Sequence, residues 1–185
     1  MPCIMNSLPS GGLRLRGLPP VVRRDPAPRV LILGSMPSEA SLAAGAYYAH
    51  PRNRFWPVMA ALLGRSAPPS AFPERAAMLA DAGIALWDVI GSCVREGSLD
   101  SAIEALEPND IAGFLAERPS ICIVCLNGGK SAEVWRRWIV PTLTPAALAG
   151  LSVRALPSTS PANARWRFEA LLEAWRQAVG PAVRR

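Results

Sequence analysis

RVLILGSMPSEASLAAGAYYAHPRNRFW, residues 29–56, opens on four consecutive aliphatic side chains, Val30-Leu31-Ile32-Leu33, and stops at Gly34. A short apolar run closed by a turn residue reads as a strand buried on both faces, the kind that parallel sheets contain. About eighteen small and polar residues follow before a helix begins near Asn53, and loops of that length are uncommon in compact domains unless they carry function. A strand that ends in such a loop and feeds a helix is how open α/β sheets build sites at their carboxyl edge.

The same alternation recurs along the chain. Residues 84–90 (IALWDVI), 121–126 (ICIVCL) and 152–156 (SVRAL) read as three further strands. Helical spacing and end signals predict helices from about 53 to 63, then over 72–82, 110–117 with Asn109 as its cap, 130–139 and 165–179. Residues 35–52 and 91–108 are left as long loops. Strands alternating with helices predict a three-layer α/β/α sandwich around a central four-stranded parallel sheet. Residues 1–27, rich in Gly, Pro and Arg, read as a loosely ordered basic arm, residues 28–180 as one domain, and residues 181–185 as a basic tail. In a parallel sheet every strand's carboxyl end faces one edge. That edge gathers Ser35-Met36-Pro37, Asp88, Asn127 and Ser158-Thr159-Ser160, which predicts a cleft there.

The bulk properties narrow the classes. At 185 residues the chain suits one domain that buries roughly two-thirds of its unfolded surface. Half of it is apolar, yet no run approaches the ~18 residues of a membrane span, and Pro and Gly break the first twenty residues too often for a signal peptide. The cytoplasm or nucleoid is the expected location, with no membrane partner.

The net charge is +6 and Lys130 is the only lysine, so the basic residues are almost all Arg. Guanidinium forks bind phosphate and stack on bases, which suits nucleic acid; an Arg-biased solvated surface accounts for the charge equally well. Covalent amine catalysis would have to use Lys130 or the amine of Pro2. Cys122 and Cys125 form a C-x-x-C within a predicted strand, where residues three apart point to opposite faces, so reduced, packed thiols are expected and no metal or cofactor.

Several familiar motifs are missing. Gly34-Ser35-Met36 lacks the spacing of a dinucleotide fingerprint, and there is no P-loop. Asn127-Gly128-Gly129-Lys130 reads more simply as a helix-opening turn than as a phosphate cradle. Ser35, His50 (the only histidine) and Asp88 would make a triad, but the serine has no nucleophile-elbow sequence.

Two segments carry a resemblance. GSMP (34–37) with YYAHPRNRFW (47–56) is similar to the first motif of the uracil-DNA glycosylase superfamily, closest to its hypoxanthine-DNA (deoxyinosine) branch, and PSTSPANA (157–164) resembles the second motif. The resemblance runs from residue 29 to about 178 in element order. It implies a four-stranded parallel sheet between helices, monofunctional N-glycosylase activity, no metal, a monomer, and DNA containing a deaminated base as partner. The better-known branches carry Asn or Asp two residues after the first glycine to position water; here Met36 stands there, and a thioether cannot polarise water. The resemblance moves water handling to Asn53 and makes Tyr48 the stacking aromatic.

The residue chemistry can be read beside it. An enzyme acting on a base must flip it out and hold it by stacking and edge hydrogen bonds. Gly34, Ser35, Met36 and Pro37 would line such a pocket, and Tyr47, Tyr48 and Phe55 offer flat faces, although Phe55 and Trp56 also fit the buried stripe of their helix. Asn53 has a donor and an acceptor for a water or a base edge; as a bare residue it reads as a helix cap. His50 suits donation to the leaving base or a phosphate, or a structural bond in its loop. Asp88 and Asn127 suit purine edges, or capping and turn formation.

Cleaving the bond places positive charge on the sugar and negative charge on the departing base, so donors aimed at the base matter more than a strong nucleophile. Ser158, Thr159 and Ser160 would bind phosphates, Pro161-Ala162-Asn163 would enter the minor groove or the gap left by the extruded nucleotide, and Arg165 and Arg167 would add phosphate contacts. Three readings compete: the same fold excising uracil, a non-catalytic nucleic-acid-binding module, and an esterase using Ser35 and His50.

Overall fold

The computed structural model describes residues 14–183. In chain order the strands are β1 (Arg14–Arg16), β2 (Val30–Gly34), β3 (Ile84–Asp88), β4 (Ile90–Val94), β5 (Glu104–Pro108), β6 (Ile123–Asn127) and β7 (Ser152–Leu156). The α-helices are α1 (Glu39–Ala44), α2 (Phe55–Leu62), α3 (Phe72–Asp81), α4 (Ile111–Ala116), α5 (Gly129–Val134), α6 (Pro145–Ala149) and α7 (Phe168–Val179).

The predicted sheet is present, with four parallel strands in the order β3-β2-β6-β7. Period-two alternation divides its core into two layers. Val30 and Ile32 of β2 and Cys125 of β6 point into one, packed with Phe55, Met59, Leu79 and Trp175 from α2, α3 and α7. Leu31, Leu33, Val124 and Leu126 point into the other, against Ile111, Phe114, Trp135 and Ile139. With helices covering both faces, β2 has no polar side and is buried along its whole length, as its unbroken aliphatic run requires.

Four readings need correction. Residues 1–13 and 184–185 lie outside the described part, but residues 14–27 are no loose arm: β1 pairs antiparallel with β4, and Val21 bridges Leu86. The strand expected over 84–90 breaks at Val89, and Ile90 with residues 91–108, expected as loop, forms β4 and β5 of a second, antiparallel sheet ordered β1-β4-β5. Asp110 rather than Asn109 caps α4, accepting from the Gly113 N–H at 2.8 Å, while Asn109 donates to the Asp88 carbonyl at 2.9 Å. Finally, β6 starts at Ile123, so Cys122 precedes the strand and packs against the same layer as Cys125, contrary to the opposite-face argument. Cys125 is buried, and its thiol is pushed up to about 12 by desolvation.

Buried and half-buried indoles tie the long loops to this frame, because a Trp N–H taken from water needs an acceptor. Trp56 donates to the Tyr47 carbonyl at 2.9 Å, Trp175 to the Pro157 carbonyl at 3.2 Å and Trp87 to the Leu18 carbonyl at 3.1 Å. The loop after β2 also contains α1, a short helix capped by Ser38 and closed by Gly45 in the left-handed region.

Candidate active site at the carboxyl edge

From β2 the chain moves first to β3 on one side and later to β6 and β7 on the other, so the strand order reverses beside β2. Open parallel sheets leave a crevice at such a reversal, outside the carboxyl ends of the strands. A cleft of about 500 Å³ lies there, a volume within the usual range for small-ligand sites. Its wall includes Gly34, Ser35, Met36, Pro37, Tyr48, Asn53, Asp88 and Asn127 together with Ser158, Thr159, Ser160, Ala162, Asn163 and Arg165. The two motif segments, about a hundred residues apart in sequence, therefore meet at one rim.

Asn127, the last residue of β6, holds them together. Its Nδ2 donates to the Tyr48 hydroxyl at 2.9 Å and to Thr159 Oγ1 at 3.1 Å, while its Oδ1 accepts from the Thr159 N–H at 3.0 Å. The amide orientation is fixed, because a backbone N–H can only donate. Both amide hydrogens are thus committed within the protein, and one lone pair of Oδ1 remains for a ligand. Arg54 makes a second clamp: its guanidinium donates to the carbonyls of Trp166, Asn163 (2.9 Å) and Ser160 (3.4 Å), and its backbone N–H to the Thr159 carbonyl at 3.1 Å.

Tyr48 sits at φ 53°, in the left-handed region that a non-glycine residue occupies only when its surroundings over-determine it. Phe55 supplies part of that, stacking on the Tyr48 ring with centroids 4.0 Å apart and planes 22° from parallel. Phe55 is itself fully buried and outside the cleft wall, so it backs Tyr48 and cannot meet a base. Tyr47 is anchored by donating to the Leu18 carbonyl at 3.0 Å. Desolvation, reinforced by the nearby Asp88 charge, holds both phenols well above the usual tyrosine range, so they remain protonated.

Asn53 lines the cleft, and its Oδ1 accepts the Phe55 N–H at 3.0 Å, opening α2. Among the described residues its amide nitrogen has no protein partner. His50 lies outside the cleft wall, where its Nδ1 accepts the Arg52 N–H at 3.2 Å, and Pro161 is also outside it. The Ser35–His50–Asp88 triad does not form: the Ser35 hydroxyl donates to Asp100 at 2.6 Å. Met36 is only 7 % exposed, its side chain packed into the second core layer.

Residues 98–101 also line the cleft. Ser98, Leu99, Asp100 and Ser101 form one wall, and Ser98 accepts the Glu39 N–H at 3.0 Å. Nothing in SLDS distinguishes it from an ordinary surface turn. Asp88, at the end of β3 beside Gly34, is 3 % exposed and pushed up to about 8, first by burial and then by the Asp100 charge, against the opposing pull of Arg95. No group of three or more metal-ligating side chains occurs among the described residues, and no helix there is long and apolar enough to cross a membrane.

Comparison with known proteins gives a consistent picture. A model of the Uracil DNA glycosylase superfamily matches residues 22–179. The chain is 36% identical over 151 residues to a hypoxanthine DNA glycosylase of Methanosarcina acetivorans, covering 82% of this chain and 89% of that protein. It is 34% identical over 121 residues to a hypoxanthine DNA glycosylase of Methanosarcina barkeri, covering 65% and 75%. It also superposes on the solution NMR structure of a candidate uracil DNA glycosylase from Methanosarcina acetivorans with TM-score 0.72 and 32% identity, over 87% of this chain and 94% of that one.

Proposed function

Because the chain belongs to the uracil DNA glycosylase superfamily, we propose that it is a monofunctional DNA glycosylase that removes hypoxanthine from DNA by hydrolysing the N-glycosidic bond. The observation that carries this reading is the junction at Asn127, which brings the stacking aromatic Tyr48 and the second-motif residue Thr159 into one slot. In this reading the extruded base lies against Tyr48, and the free lone pair on Asn127 Oδ1 accepts from the base edge. Asn53 holds the attacking water, since its amide has capacity left after opening α2. Ser158, Ser160 and Arg165 contact phosphates beside the flipped nucleotide, and Ala162 and Asn163 approach the groove.

The names borne by the relatives support hypoxanthine over uracil, and so does Met36, which offers no group to activate water. The protein works in this reading as a monomer on DNA carrying a deaminated base, in the cytoplasm at the nucleoid.

The test is a panel of inosine- and uracil-containing oligonucleotides treated with wild type and Asn53→Ala under single turnover. Inosine substrates should be cut at the abasic product, uracil substrates far more slowly, and Asn53→Ala should lose about 10²-fold in rate with DNA binding nearly unchanged. An unaltered rate removes Asn53 from the mechanism. No excision from any substrate, with binding intact, leaves a non-catalytic binding module.

A further inference from the structure

Asp88 is a buried carboxyl in the cleft wall for which the roles assigned so far have no use. It is the last residue of β3, in register with Gly34 at the end of β2. Neither carboxylate oxygen makes a hydrogen bond among the described residues, and Oδ2 is wholly enclosed without a partner. Buried polar groups in folded proteins are almost always paired; Oδ1, equally unpaired but not enclosed, is the atom that a partner entering the cleft can reach. The neighbouring backbone is shaped around it: a Cβ on Gly34 would stand 2.2 Å from Asp88 Oδ1 and 3.0 Å from the Tyr48 hydroxyl. Only glycine leaves room there for a carboxyl and a phenol to face the same space.

An ionised carboxylate at this point would oppose the reaction, because the electron pair of the breaking bond moves onto the base. A neutral carboxyl would assist it. Resting on the glycosylase reading above, we infer that Asp88 acts in its protonated form as the acid that donates to the departing purine. As the C1′–N bond breaks and its electron pair passes to the base, the Asp88 proton moves to an acceptor atom of that base. Water adds its hydroxyl to C1′, and its remaining proton goes back, through solvent, to the Asp88 carboxylate. The sum is one water consumed, one sugar hydroxyl formed and one neutral base released.

The surroundings favour the neutral form at ordinary pH. Burial disfavours the charge and Asp100 opposes it, whereas the guanidinium of Arg95, which donates to the Pro37 carbonyl at 2.5 Å, pulls the other way. The other ionisable groups facing it, the phenols of Tyr47 and Tyr48, stay protonated. The balance raises Asp88 to about 8, so the acid is available at neutral pH and is lost as pH rises through that value.

The experiment compares single-turnover inosine excision by wild type, Asp88→Asn and Asp88→Ala at saturating enzyme, from about pH 6 to about pH 10. Hypoxanthine itself ionises in alkali, and the ratio of wild type to Asp88→Asn cancels that contribution. At neutral pH Asp88→Asn, which keeps a donor but cannot release a proton, should be about tenfold slower, and Asp88→Ala about 10²-fold slower. The ratio should then fall by about tenfold per pH unit above about pH 8. A ratio that stays constant overturns the inference.

An independent readout is the infrared difference spectrum of wild type minus Asp88→Asn at neutral pH, without DNA. It should contain the carbonyl stretch of a protonated carboxylic acid, lost in alkali. Absence of that band overturns the inference even where inosine is excised, whereas its presence in a protein that excises nothing leaves the acid in place and defeats the glycosylase reading instead. Circular dichroism of each variant at each pH establishes that the comparison is between folded proteins.

Discussion

On one side of the cleft, Asn127 and Arg54 join the two motif segments through seven hydrogen bonds, and Thr159 at their centre has no exposed surface. Elsewhere in the cleft wall, residues 98–101 are all exposed, and their ties to the first-motif loop are Ser35 to Asp100 and Glu39 to Ser98. The contrast separates two jobs. Catalysis needs reacting groups held to a fraction of an ångström, and the buried, hydrogen-bonded wall supplies that. A damaged nucleotide must also get in, and elements that move for a ligand are drawn from the weakly held parts of a fold.

If that division is right, the largest loss should come from cutting the tight wall at its centre. Asn127→Ala removes three hydrogen bonds and leaves the buried Thr159 N–H without an acceptor. Leaving such a donor unpaired costs about 1–3 kcal/mol, and the other two bonds add about 1 kcal/mol each. The unfolding midpoint should drop accordingly in a thermal melt. Inosine excision should fall by about 10³-fold, because Tyr48 and the second motif lose their common reference at once. A loss no larger than that of any buried polar residue remote from the cleft would break the comparison.

Arg54→Ala should come next in its effect on excision. Its guanidinium serves three carbonyls of the segment 160–166, and bonds to a charged donor are worth about 1.5–3 kcal/mol each when partly buried. Arg54→Lys should recover little, since one ammonium cannot span the carbonyls that a planar fork reaches together. The informative readout is the salt dependence of DNA binding. If Arg54 orders the loop and does not itself meet phosphate, affinity falls in the variant while the slope of log affinity against log salt barely changes. A slope reduced by about one would instead make Arg54 a phosphate contact.

What the sequence made legible follows from where interactions are local. The aliphatic runs of β2 and β6 can be buried on both sides only in a sheet covered by helices, and that placed the carboxyl-edge residues on one rim before any coordinates. The small sheet was invisible for the complementary reason. In β4, IGSCV, glycine and serine interrupt the apolar pattern, its pairing with β5 shifts register twice, and β5 itself, EALEP, carries two glutamates and shows no alternation. β1 is recognisable only by its partner β4, far along the chain, and β4 and β5, though near neighbours, only by their pairing with each other. The clamps were hidden likewise: Asn127 stood out only as a strand-end residue and Arg54 not at all, because their partners stand 32 to 112 residues away. Phe55 is instructive because spacing suggested burial and its flat face suggested a base contact; the helix stripe decided the matter, and the half-buried Tyr48 stands between it and the cleft.

The smallest predicted effect probes the loose wall. Asp100→Asn keeps the side-chain shape and an oxygen to accept from Ser35 but removes a charge, and at an exposed site stability should change by no more than about 0.5 kcal/mol. Inosine excision at neutral pH should fall by no more than about threefold, which sets this wall apart from Asn127. One property should still respond. The Asp100 charge is among the influences that raise Asp88, so removing it lets Asp88 ionise at lower pH, and the alkaline fall in wild-type-like activity should move down by a few tenths of a pH unit. Because the field crosses solvent near an exposed carboxylate, the displacement should shrink as salt is added. A displacement upward, or one that survives high salt undiminished, would mean that residues 98–101 act on the reaction by fixing its geometry, and the two walls would then share a single task.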